Sequence, residues 1–396
     1  MKVNSKFSTA GAARRVCPPS RPNSMRILYD GHVYGWQAAG GINRYFANVI
    51  GGLPPDFEPS LLVEQAREVN FPNHPNLQVY EYGRRYPRLE SFSYRLGLYT
   101  SRLRDWLLTE RLARGRFEVF HPTYYTLLTG RRVGSYRAPT VLTVWDMIHE
   151  LFSEEMDPAG ENAEAKRRAV LAADRIICIS ENTKRDLLAR HPIPEEKVAV
   201  THLASELDAS LADEPGPAPA RPFYLYVGSR SRYKNFDLLL RALSRVLTSR
   251  PQLSLCVVGS PFTADEERRL AELGLAGHVE HYGYAGDAQL ARLYRRSLAL
   301  VYPSLYEGFG IPPLEAMSCG TVAVVSNASS LPEVVGDAGL LFDPRALDEL
   351  ADILLSLTDD EGLRRELIEK GARRAGEFSW AKTVAQTVDV YRSLGT

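Results

Sequence analysis

Short apolar runs alternate with amphipathic helical patterns along the chain from Met25 onward. In the first half, apolar strands are predicted at 27–31, 118–123, 140–146 and 175–180, and helices at 44–53, 160–173 and 183–190. Such alternation predicts a parallel sheet with helices on both faces. Ligands bind beyond the carboxyl ends of the strands in sheets of this kind. The residues that this rule places in one cleft are Gly40, Gly41, His121, Asp146 and Ser180.

The same alternation begins again after a proline-rich segment, 213–222, which contains four prolines. A segment of this composition between two complete patterns is typical of a linker. The strands predicted beyond it are 223–229, 253–259, 278–283, 298–303 and 321–326, and the helices are 236–247, 264–273, 287–295, one from about Pro313, and 378–394. We therefore predict two doubly wound α/β domains, 25–212 and 223–377. A closing helix in 378–396 is expected to cross back to the first domain.

Residues 1–24 differ from the rest of the chain. They carry five basic residues (Lys2, Lys6, Arg14, Arg15 and Arg21), no acidic one, and no apolar core of a secretory signal. We predict a disordered tail or a start assigned too early, in preference to a targeting peptide.

Composition and charge narrow the class of protein. The 396 residues are 44% hydrophobic and 24% charged, and 48 basic side chains balance 48 acidic ones. A net charge of zero argues against a general nucleic-acid binder, and no apolar run reaches the ~18 residues of a membrane span. The four cysteines are Cys17, Cys178, Cys256 and Cys319. They form no Cys-x-x-Cys pair, so we predict free thiols in a reducing cytosol.

Two strand-to-helix corners in the second half carry candidate chemistry. The first corner places Arg230, Arg232 and Lys234 directly before a helix N-terminus. Cations at this position, together with free backbone N–H groups and the helix dipole, are suited to binding phosphate. A solvated basic turn is the plainer interpretation of this corner taken alone.

The second corner holds Glu307 and Glu315 on either side of Gly308 and Gly310. The glycines permit close approach of the backbone to a ligand, and Pro313 is typical of a helix start. Glu315 is then expected in the first helical turn, where a charge–dipole contact is the structural alternative. The functional interpretation is that Glu315 accepts hydrogen bonds from the vicinal hydroxyls of a ribose. Glu307 would reach the sugar or its phosphate.

Three nucleotide-binding patterns are missing. Pro313 stands where a dinucleotide fingerprint needs its third glycine, and no loop ends in Gly-Lys-Ser/Thr. No two aspartates stand two positions apart, so the sequence lacks an Asp-x-Asp clamp for a metal-bound diphosphate. We therefore expect no metal and no cofactor, and Arg230 and Lys234 must neutralise any diphosphate that binds.

Several motifs together resemble one enzyme family. They are VGSRSRYKN, VVGS, HYGYAGDAQLARLY, YPSLYEGFGIPPLEAMSCGTVAV and LPEVVGDAGLLFDP. From Met25 to the C-terminus the chain resembles the family 4 (group 1) glycosyltransferases, whose GT-B fold has two Rossmann-like domains facing across a cleft. The resemblance implies a retaining, metal-independent hexosyltransferase that uses GDP-mannose or a UDP-sugar. It also implies a saccharide or lipid-linked acceptor in polysaccharide or lipopolysaccharide biosynthesis.

The resemblance assigns roles to residues of the second domain. In the family the second glutamate of the corner holds the ribose and the first contacts the donor sugar, which gives these roles to Glu315 and Glu307. Lys234 matches the lysine on the diphosphate. Arg230, with Arg232 in reserve, is predicted for the accompanying arginine, although it stands one position later than in the family pattern. The residues predicted to line the donor site are Gly40, Gly41, Gly228, Gly283, Tyr284, Gly308, Phe309, Gly310, Ile311 and Glu315.

The first domain departs from the family at one position. The family often has a histidine before the aspartate at the end of the central strand, and this chain has Trp145 before Asp146. We predict that Asp146 keeps a catalytic role. His149 and His121 are the candidates to replace the missing histidine, although a lone histidine is more often structural. The predicted acceptor contacts are His121 and Tyr124.

The segment 83–137 is rich in arginine, with 12 arginines against four acidic residues. Within it, apolar residues recur at helical spacing: Phe92, Leu96, Tyr99, Leu103 and Trp106. One interpretation is a surface that contacts anionic lipid, where a lipid-linked acceptor lies. The other is a helix packed on the sheet with a solvated basic face. The first would place a cytoplasmic protein peripherally on the inner face of the membrane.

Two rival functions stay open at the level of sequence. A glycoside phosphorylase or a nucleotide-sugar epimerase has the same fold. A non-catalytic sugar-nucleotide-binding subunit of a glycan assembly complex is favoured slightly by Trp145. The intact set of Glu307, Glu315 and Lys234 favours the glycosyltransferase over both.

Overall fold

The computed structural model describes residues 24–36, 40–64, 70–83, 93–213 and 215–395. The predictions made for residues 1–23, including Cys17, lie outside these ranges. Phe92 lies in the gap between 83 and 93, and of residues 93–102, which include Leu96 and Tyr99, only the backbone is described.

The strands of the first domain form a parallel sheet in two sections. They are β1 (Met25–Asp30), β2 (Phe57–Val63), β3 (Gln78–Glu81), β4 (Val119–Pro122), β5 (Val141–Val144), β6 (Arg175–Cys178) and β7 (Val198–Val200). One section has the order β3-β2-β1-β4 and the other β5-β6-β7. A parallel bridge between Phe120 and Thr140 joins them, so the carboxyl ends of all these strands meet at one edge.

The first domain also contains seven helices among its described residues. They are α1 (Val33–Trp36), α2 (Gly41–Gly51), α3 (Ser93–Ala113), α4 (Ile148–Leu151), α5 (Ser153–Met156), α6 (Glu161–Ala172) and α7 (Glu181–Arg190). On α2, the fully buried residues Tyr45, Phe46, Val49 and Ile50 lie on one face because they recur at helical spacing. Burial of each such side chain contributes roughly 1.5–3 kcal/mol, and this packing fixes the N-terminus of α2 at the carboxyl end of β1.

The second domain is a six-stranded parallel sheet with the order β10-β9-β8-β11-β12-β13. Its strands are β8 (Phe223–Val227), β9 (Ser254–Val258), β10 (Val279–His281), β11 (Leu300–Tyr302), β12 (Ala323–Ser326) and β13 (Gly339–Phe342). Its helices are α8 (Phe236–Leu247), α9 (Ala264–Glu272), α10 (Asp287–Arg296), α11 (Ile311–Ser318), α12 (Leu331–Val335), α13 (Leu347–Asp359) and α14 (Glu361–Ala375). The strand order reverses between β8 and β11, which is the point where such sheets bind ligands.

The last helix, α15 (Trp380–Arg392), packs against α2 of the first domain. The Tyr391 hydroxyl lies 3.0 Å from the Tyr29 hydroxyl and 2.7 Å from His121 Nδ1. His121 Nε2 pairs with the Thr143 hydroxyl at 2.9 Å. These contacts hold the end of the chain onto the first sheet.

His121 therefore has a structural role, and its prediction as a cleft residue, a replacement histidine and an acceptor contact is wrong. The ring is fully buried and both of its nitrogens are engaged. Burial lowers the pKa of His121 to about 3, so the imidazole stays neutral. A buried neutral histidine with two partners has neither surface nor charge to offer a ligand.

The helix α3 leaves three large apolar side chains in solvent. Leu103, Trp106 and Leu107 are 56%, 57% and 52% exposed. Along this stretch α3 does not bury its apolar side chains on the sheet, whereas Leu112 and Ala113 at its end are buried. Among the described residues, no helix is long and apolar enough to cross a membrane.

Candidate active site

The corner after β8 is tied to the corners after β11 and β13. Asn235 adopts a left-handed conformation, with φ 55°, directly before α8. Its side-chain amide donates to the carbonyls of Pro303 and Pro344 at 3.1 and 2.9 Å. These bonds fix Lys234, the residue before it, at the switch point of the sheet.

Lys234 and Glu307 form a buried ion pair at this point. The Lys234 ammonium donates to the two carboxylate oxygens of Glu307 at 2.7 and 2.9 Å, and to the Tyr302 hydroxyl at 3.2 Å. Their side chains are only 12% and 9% exposed. Burial alone would lower the pKa of Lys234, and the Glu307 carboxylate outweighs it and raises this pKa well above its usual value. The family resemblance assigns the two residues separate roles, on the diphosphate and on the donor sugar, and the structure places their side chains in direct contact.

Arg230 is held by a neighbouring acid. Its guanidinium donates to Glu266 at 2.6 and 3.2 Å and lies 4.6 Å from the Phe262 ring, and the side chain is 4% exposed. One amino group, NH1, is buried without a hydrogen-bond partner. Arg232, the reserve candidate, has an exposed side chain, and its backbone N–H donates to Glu155 of α5 at 3.0 Å. Of the three cations, Lys234 is the one that contacts the candidate glutamate Glu307.

The loop between the two glutamates contacts the first domain through Gly308. A Cβ at Gly308 would lie 1.9 Å from the Trp145 carbonyl oxygen, so only glycine permits this approach. The Ser180 and Thr183 hydroxyls both donate to the Gly308 carbonyl, at 2.7 and 3.1 Å. Gly310 has φ 114° and precedes the first residue of α11. The loop thus joins the two domains at the base of the cleft.

Two side chains of this loop face different surroundings. Phe309 is buried, and its ring lies 5.9 Å from His202 and 5.7 Å from Phe378. Its side chain thus packs in an aromatic cluster, so any contact of Phe309 with a donor must come from its backbone. Ile311 lies beside Gly41, where a Cβ would be 3.6 Å from the Ile311 side chain. The start of α11 therefore faces the start of α2.

Glu315 lies deeper in α11 than the sequence predicted. The helix begins at Ile311, which places Glu315 beyond the first turn. Because the effect of the helix dipole is confined to the first turn, a charge–dipole contact explains little of the position of Glu315. The buried carboxylate accepts a hydrogen bond from the Tyr294 hydroxyl at 2.9 Å. Burial raises the pKa of Glu315 to about 7, against the opposing effects of Tyr294 and the nearby Arg44 guanidinium.

Arg44 of α2 is a site residue that sequence reasoning missed. Its guanidinium pairs with Glu206 at 3.2 Å and with Asp287 of the second domain at 3.1 Å. Asn48 donates to the Arg44 carbonyl at 2.9 Å and also to Glu206. Three carboxylates, those of Glu206, Asp287 and Glu315, therefore surround one cation where the domains meet.

Lys166 is a second missed residue, and it holds the corner after β5. Its side chain is 0% exposed, and its ammonium donates to the Asp146 carbonyl and to the Glu150 carboxylate, both at 2.8 Å. The Asp146 carboxylate accepts from the Ile148 N–H at 3.0 Å. The half-buried His149 has Nδ1 buried without a hydrogen-bond partner.

Trp145 turns into the core of the first domain. Its ring lies 5.0 Å from Tyr45 and 6.1 Å from Phe46. The tryptophan thus contributes its carbonyl, not its ring, to the contact with the glycine loop. The position where the family often has a histidine facing the cleft is therefore occupied here by a ring that packs in the core.

The remaining predicted residues differ in backbone conformation and in exposure. Gly228 and Gly283 have positive φ angles of 134° and 62°, and the Gly283 carbonyl accepts from Gly259 N–H at 2.9 Å. Tyr284 is 85% exposed. Tyr124 lies 5.3 Å from Trp36 in the first domain. Gly40 immediately precedes α2.

Two family models match the chain in succession. Residues 39–208 match "Glycosyltransferase Family 4" and residues 210–374 match "Glycosyl transferases group 1". An alpha-maltose-1-phosphate synthase of Mycolicibacterium smegmatis is 30% identical over 302 residues, covering 69% of this chain and 78% of that protein. The O-antigen chain mannosyltransferase B of Escherichia coli is 33% identical over 234 residues, covering 56% of this chain and 61% of that protein.

A solved structure shares the architecture over almost the whole chain. Anabaena HepE, determined in complex with UDP-glucose, superposes with a TM-score of 0.67 at 17% identity, covering 94% of this chain and 99% of that chain. The two parallel-sheet domains meeting at a cleft are the GT-B fold, as the sequence predicted. The chain belongs to the group 1 glycosyltransferases of family 4. It spans less than two thirds of the length of the mannosyltransferase relative.

Proposed function

We propose that the protein transfers a hexosyl unit from a nucleoside diphosphate sugar to a saccharide or lipid-linked acceptor, with retention at the anomeric carbon and without a metal. The observation that carries the proposal is the arrangement around the switch point of the second sheet. There, the Lys234–Glu307 pair stands beside a glycine loop, and the buried Glu315 lies one helix turn beyond. Family membership supports the class of reaction.

The leaving group sets the main chemical demand on this site. The bond from the anomeric carbon to the diphosphate oxygen breaks, and a bond to the acceptor oxygen forms. Lys234 supplies fixed positive charge where the diphosphate gains negative charge, which is usually the largest catalytic contribution. The positive end of the α11 dipole adds to it, with Ile311 as the N–H donor of the first turn, because Pro312 and Pro313 carry no N–H. Glu307 orients the sugar, and Glu315 accepts from the ribose hydroxyls. A phosphate oxygen of the leaving group takes the acceptor proton on the same face.

The donor is proposed to be GDP-mannose or a UDP-sugar. Mannosyl transfer is named for the O-antigen relative of E. coli, and UDP-glucose is bound in the Anabaena structure. The name of the O-antigen relative points to polysaccharide or lipopolysaccharide biosynthesis, and the two proteins together define a short list of donors to test.

A thermal-shift screen tests donor binding directly. Purified protein is heated with GDP, UDP, ADP and their common sugar conjugates. One nucleotide class is expected to raise Tm, because a ligand that binds only the folded state stabilises it, by about 2.7 kcal/mol at a hundred times Kd. The same ligand should not shift Tm in Glu315→Ala. No shift with any nucleotide in the wild type would contradict the proposal.

A second candidate function is a sugar-nucleotide-binding subunit without activity. The observation in its favour is Trp145, whose ring is buried where the family often has a cleft histidine. Tight nucleotide binding without turnover of any bound donor would support it over the transferase.

We also propose peripheral contact with a membrane on its cytoplasmic face, through α3. The exposed Leu103, Trp106 and Leu107 share α3 with Arg104, and Arg114 follows the helix; the two arginines pair with Asp105 and Glu110 at 3.2 and 3.0 Å. Exposed apolar side chains with basic neighbours are typical of interfacial helices. The protein should float with vesicles that contain anionic lipid, and Trp106→Glu should abolish this. Equal flotation of the variant, or none of the wild type, would exclude contact through α3.

A further inference from the structure

A cavity of about 540 Å³ opens between the two domains beside the candidate active site. Phe152 lines it from the first domain. The second domain contributes the ends of three neighbouring strands: Leu305 after β11, Asn327 after β12, and Asp343 with Arg345 after β13. The volume is within the range of about 300–1,000 Å³ that is typical of small-molecule sites.

The wall of this cavity is continuous with the Lys234–Glu307 pair. The Leu305 N–H donates at 2.7 Å to the carbonyl of Tyr233, the residue before Lys234. The Glu307 N–H donates at 2.8 Å to the Ser329 hydroxyl, two residues after Asn327. A ligand in the cavity therefore lies next to the proposed position of the donor sugar.

The order of the strands places the cavity on the far side of the sugar from the nucleotide. Two residues predicted to line the donor site, Gly283 and Tyr284, follow β10 at one edge of the sheet, and the family resemblance places the nucleotide base near them. Lys234 and Glu307 follow β8 and β11 in its middle. The cavity is built after β11, β12 and β13, toward the opposite edge. A donor that lies across the middle of the sheet leaves this side open to its reaction partner.

The lining combines an aromatic wall with exposed polar groups. The Phe152 ring lies 5.4 Å from Tyr233 and 6.5 Å from Tyr306, which holds it in place. Asn327 and Asp343 are exposed, and their backbone N–H groups are fixed by Phe342 and Glu349, at 2.7 and 2.9 Å.

These groups suit the surface of a pyranose. Its C–H face packs on an aromatic ring, and its hydroxyls pair with carboxamide, carboxylate and guanidinium groups. The exposed Arg345 supplies the guanidinium, and its backbone N–H donates to the Asp343 carboxylate at 2.9 Å.

We propose that this cavity is the acceptor subsite and that it binds the terminal hexopyranose of a saccharide acceptor. The inference rests on the proposed transferase function and adds to it the residues Phe152, Asn327, Asp343 and Arg345 as determinants of acceptor binding. They hold the acceptor hydroxyl toward the anomeric carbon beside Glu307, and water takes its place when no acceptor is bound.

The test separates transfer from donor hydrolysis. With the nucleotide sugar that the screen selects, transfer to methyl α-D-mannopyranoside or methyl α-D-glucopyranoside and hydrolysis without acceptor are measured for each variant. Asp343→Ala and Arg345→Ala should raise the acceptor KM tenfold or more. Ala328→Trp, which fills the cavity, should abolish transfer. In all three, donor KM and hydrolysis should stay within twofold of the wild type.

A matched control is the exposed pair Asp265 and Arg268 of α9, which lies outside the cavity. Asp265→Ala and Arg268→Ala should change neither reaction. The proposal is overturned if the acceptor KM is unchanged in the cavity variants, if hydrolysis falls in step with transfer, or if neither glycoside accepts sugar from the wild type. Failure of the transferase function itself has a different signature, since the wild type would then neither transfer nor hydrolyse any donor.

Discussion

Replacing Lys234 with alanine is expected to lower kcat by roughly a hundredfold or more, the loss typical of removing one preorganised donor to developing negative charge. The ammonium is the buried cation closest to Glu307 and the glycine loop, and the neighbouring Arg230 is already paired with Glu266. The exposed Arg232 lacks the buried setting in which a fixed charge acts most strongly on a leaving group. Steady-state turnover of the nucleotide sugar, with and without acceptor, measures the effect.

The same substitution leaves Glu307 buried without its cation, which costs about 3–5 kcal/mol for pairs of this kind. Loss of activity must therefore be separated from unfolding. The double variant Lys234→Met/Glu307→Leu replaces the pair by apolar side chains and should recover most of the free energy of unfolding without recovering turnover. Lys184→Ala, which removes an exposed pair with Glu195 at 2.8 Å, should keep turnover within about twofold. Near-normal turnover in folded Lys234→Ala would show that Lys234 does not stabilise the leaving diphosphate.

The main architecture follows from local sequence patterns, because strands buried on both faces read as continuous apolar runs. Helix α8 has the predicted limits, 236–247. The strands that the pattern missed are short or interrupted. In β2, Pro59 and Glu58 break the apolar run although the strand is largely buried. In β3 the four residues Gln78–Glu81 are mostly half-exposed at the sheet edge, so no periodic signal exists.

The residues of the candidate site also fall into two groups: those that a local motif predicts and those that only the folded structure brings together. Lys234 and Glu307 precede helices and Glu315 lies within α11, and all three belong to short local motifs, so the sequence alone makes them candidates. Arg44 and its partner Asp287 are 243 positions apart, and no local pattern links them. His121 shows the converse error: it follows an apolar strand as a site residue would, but its partner Tyr391 lies 270 positions away. Only the packing of α15 reveals that the histidine is structural.

Replacing Glu315 with glutamine is expected to stabilise the empty protein and weaken the binding of the nucleotide sugar. Burial raises the pKa of this carboxyl from 4.5 to about 7. The folded state therefore holds the proton more tightly than the unfolded state. The contribution of this carboxyl to the free energy of unfolding therefore falls as pH rises from about 4.5 to 7, by about 3 kcal/mol in total. Glutamine carries no charge. At pH 8 the variant should therefore unfold at a higher denaturant concentration than the wild type, and near pH 4.5 the two midpoint concentrations should be the same.

Binding should respond to pH with the opposite sign, because the ionised carboxylate is the better acceptor for two ribose hydroxyls. Nucleotide-sugar affinity of the wild type should rise as pH increases through about 7. The Gln variant should be flat in pH and, above pH 7, at least tenfold weaker, since hydrogen bonds to a charged group contribute about 1.5–3 kcal/mol. A nucleotide sugar is the right probe because its diphosphate has no terminal phosphate that titrates near pH 6.

The groups that face Glu315 are Tyr294, Arg44, Asp287 and Glu206, and Arg44 provides an internal check on this assignment. Removing its charge in Arg44→Ala leaves the carboxylate with less compensation, so the pH at which affinity rises should move upward. In the Arg44→Ala/Glu315→Gln double variant the pH dependence should vanish. If the pH dependence of affinity persists after Glu315→Gln, another group titrates and the predicted role of Glu315 in binding the ribose is wrong.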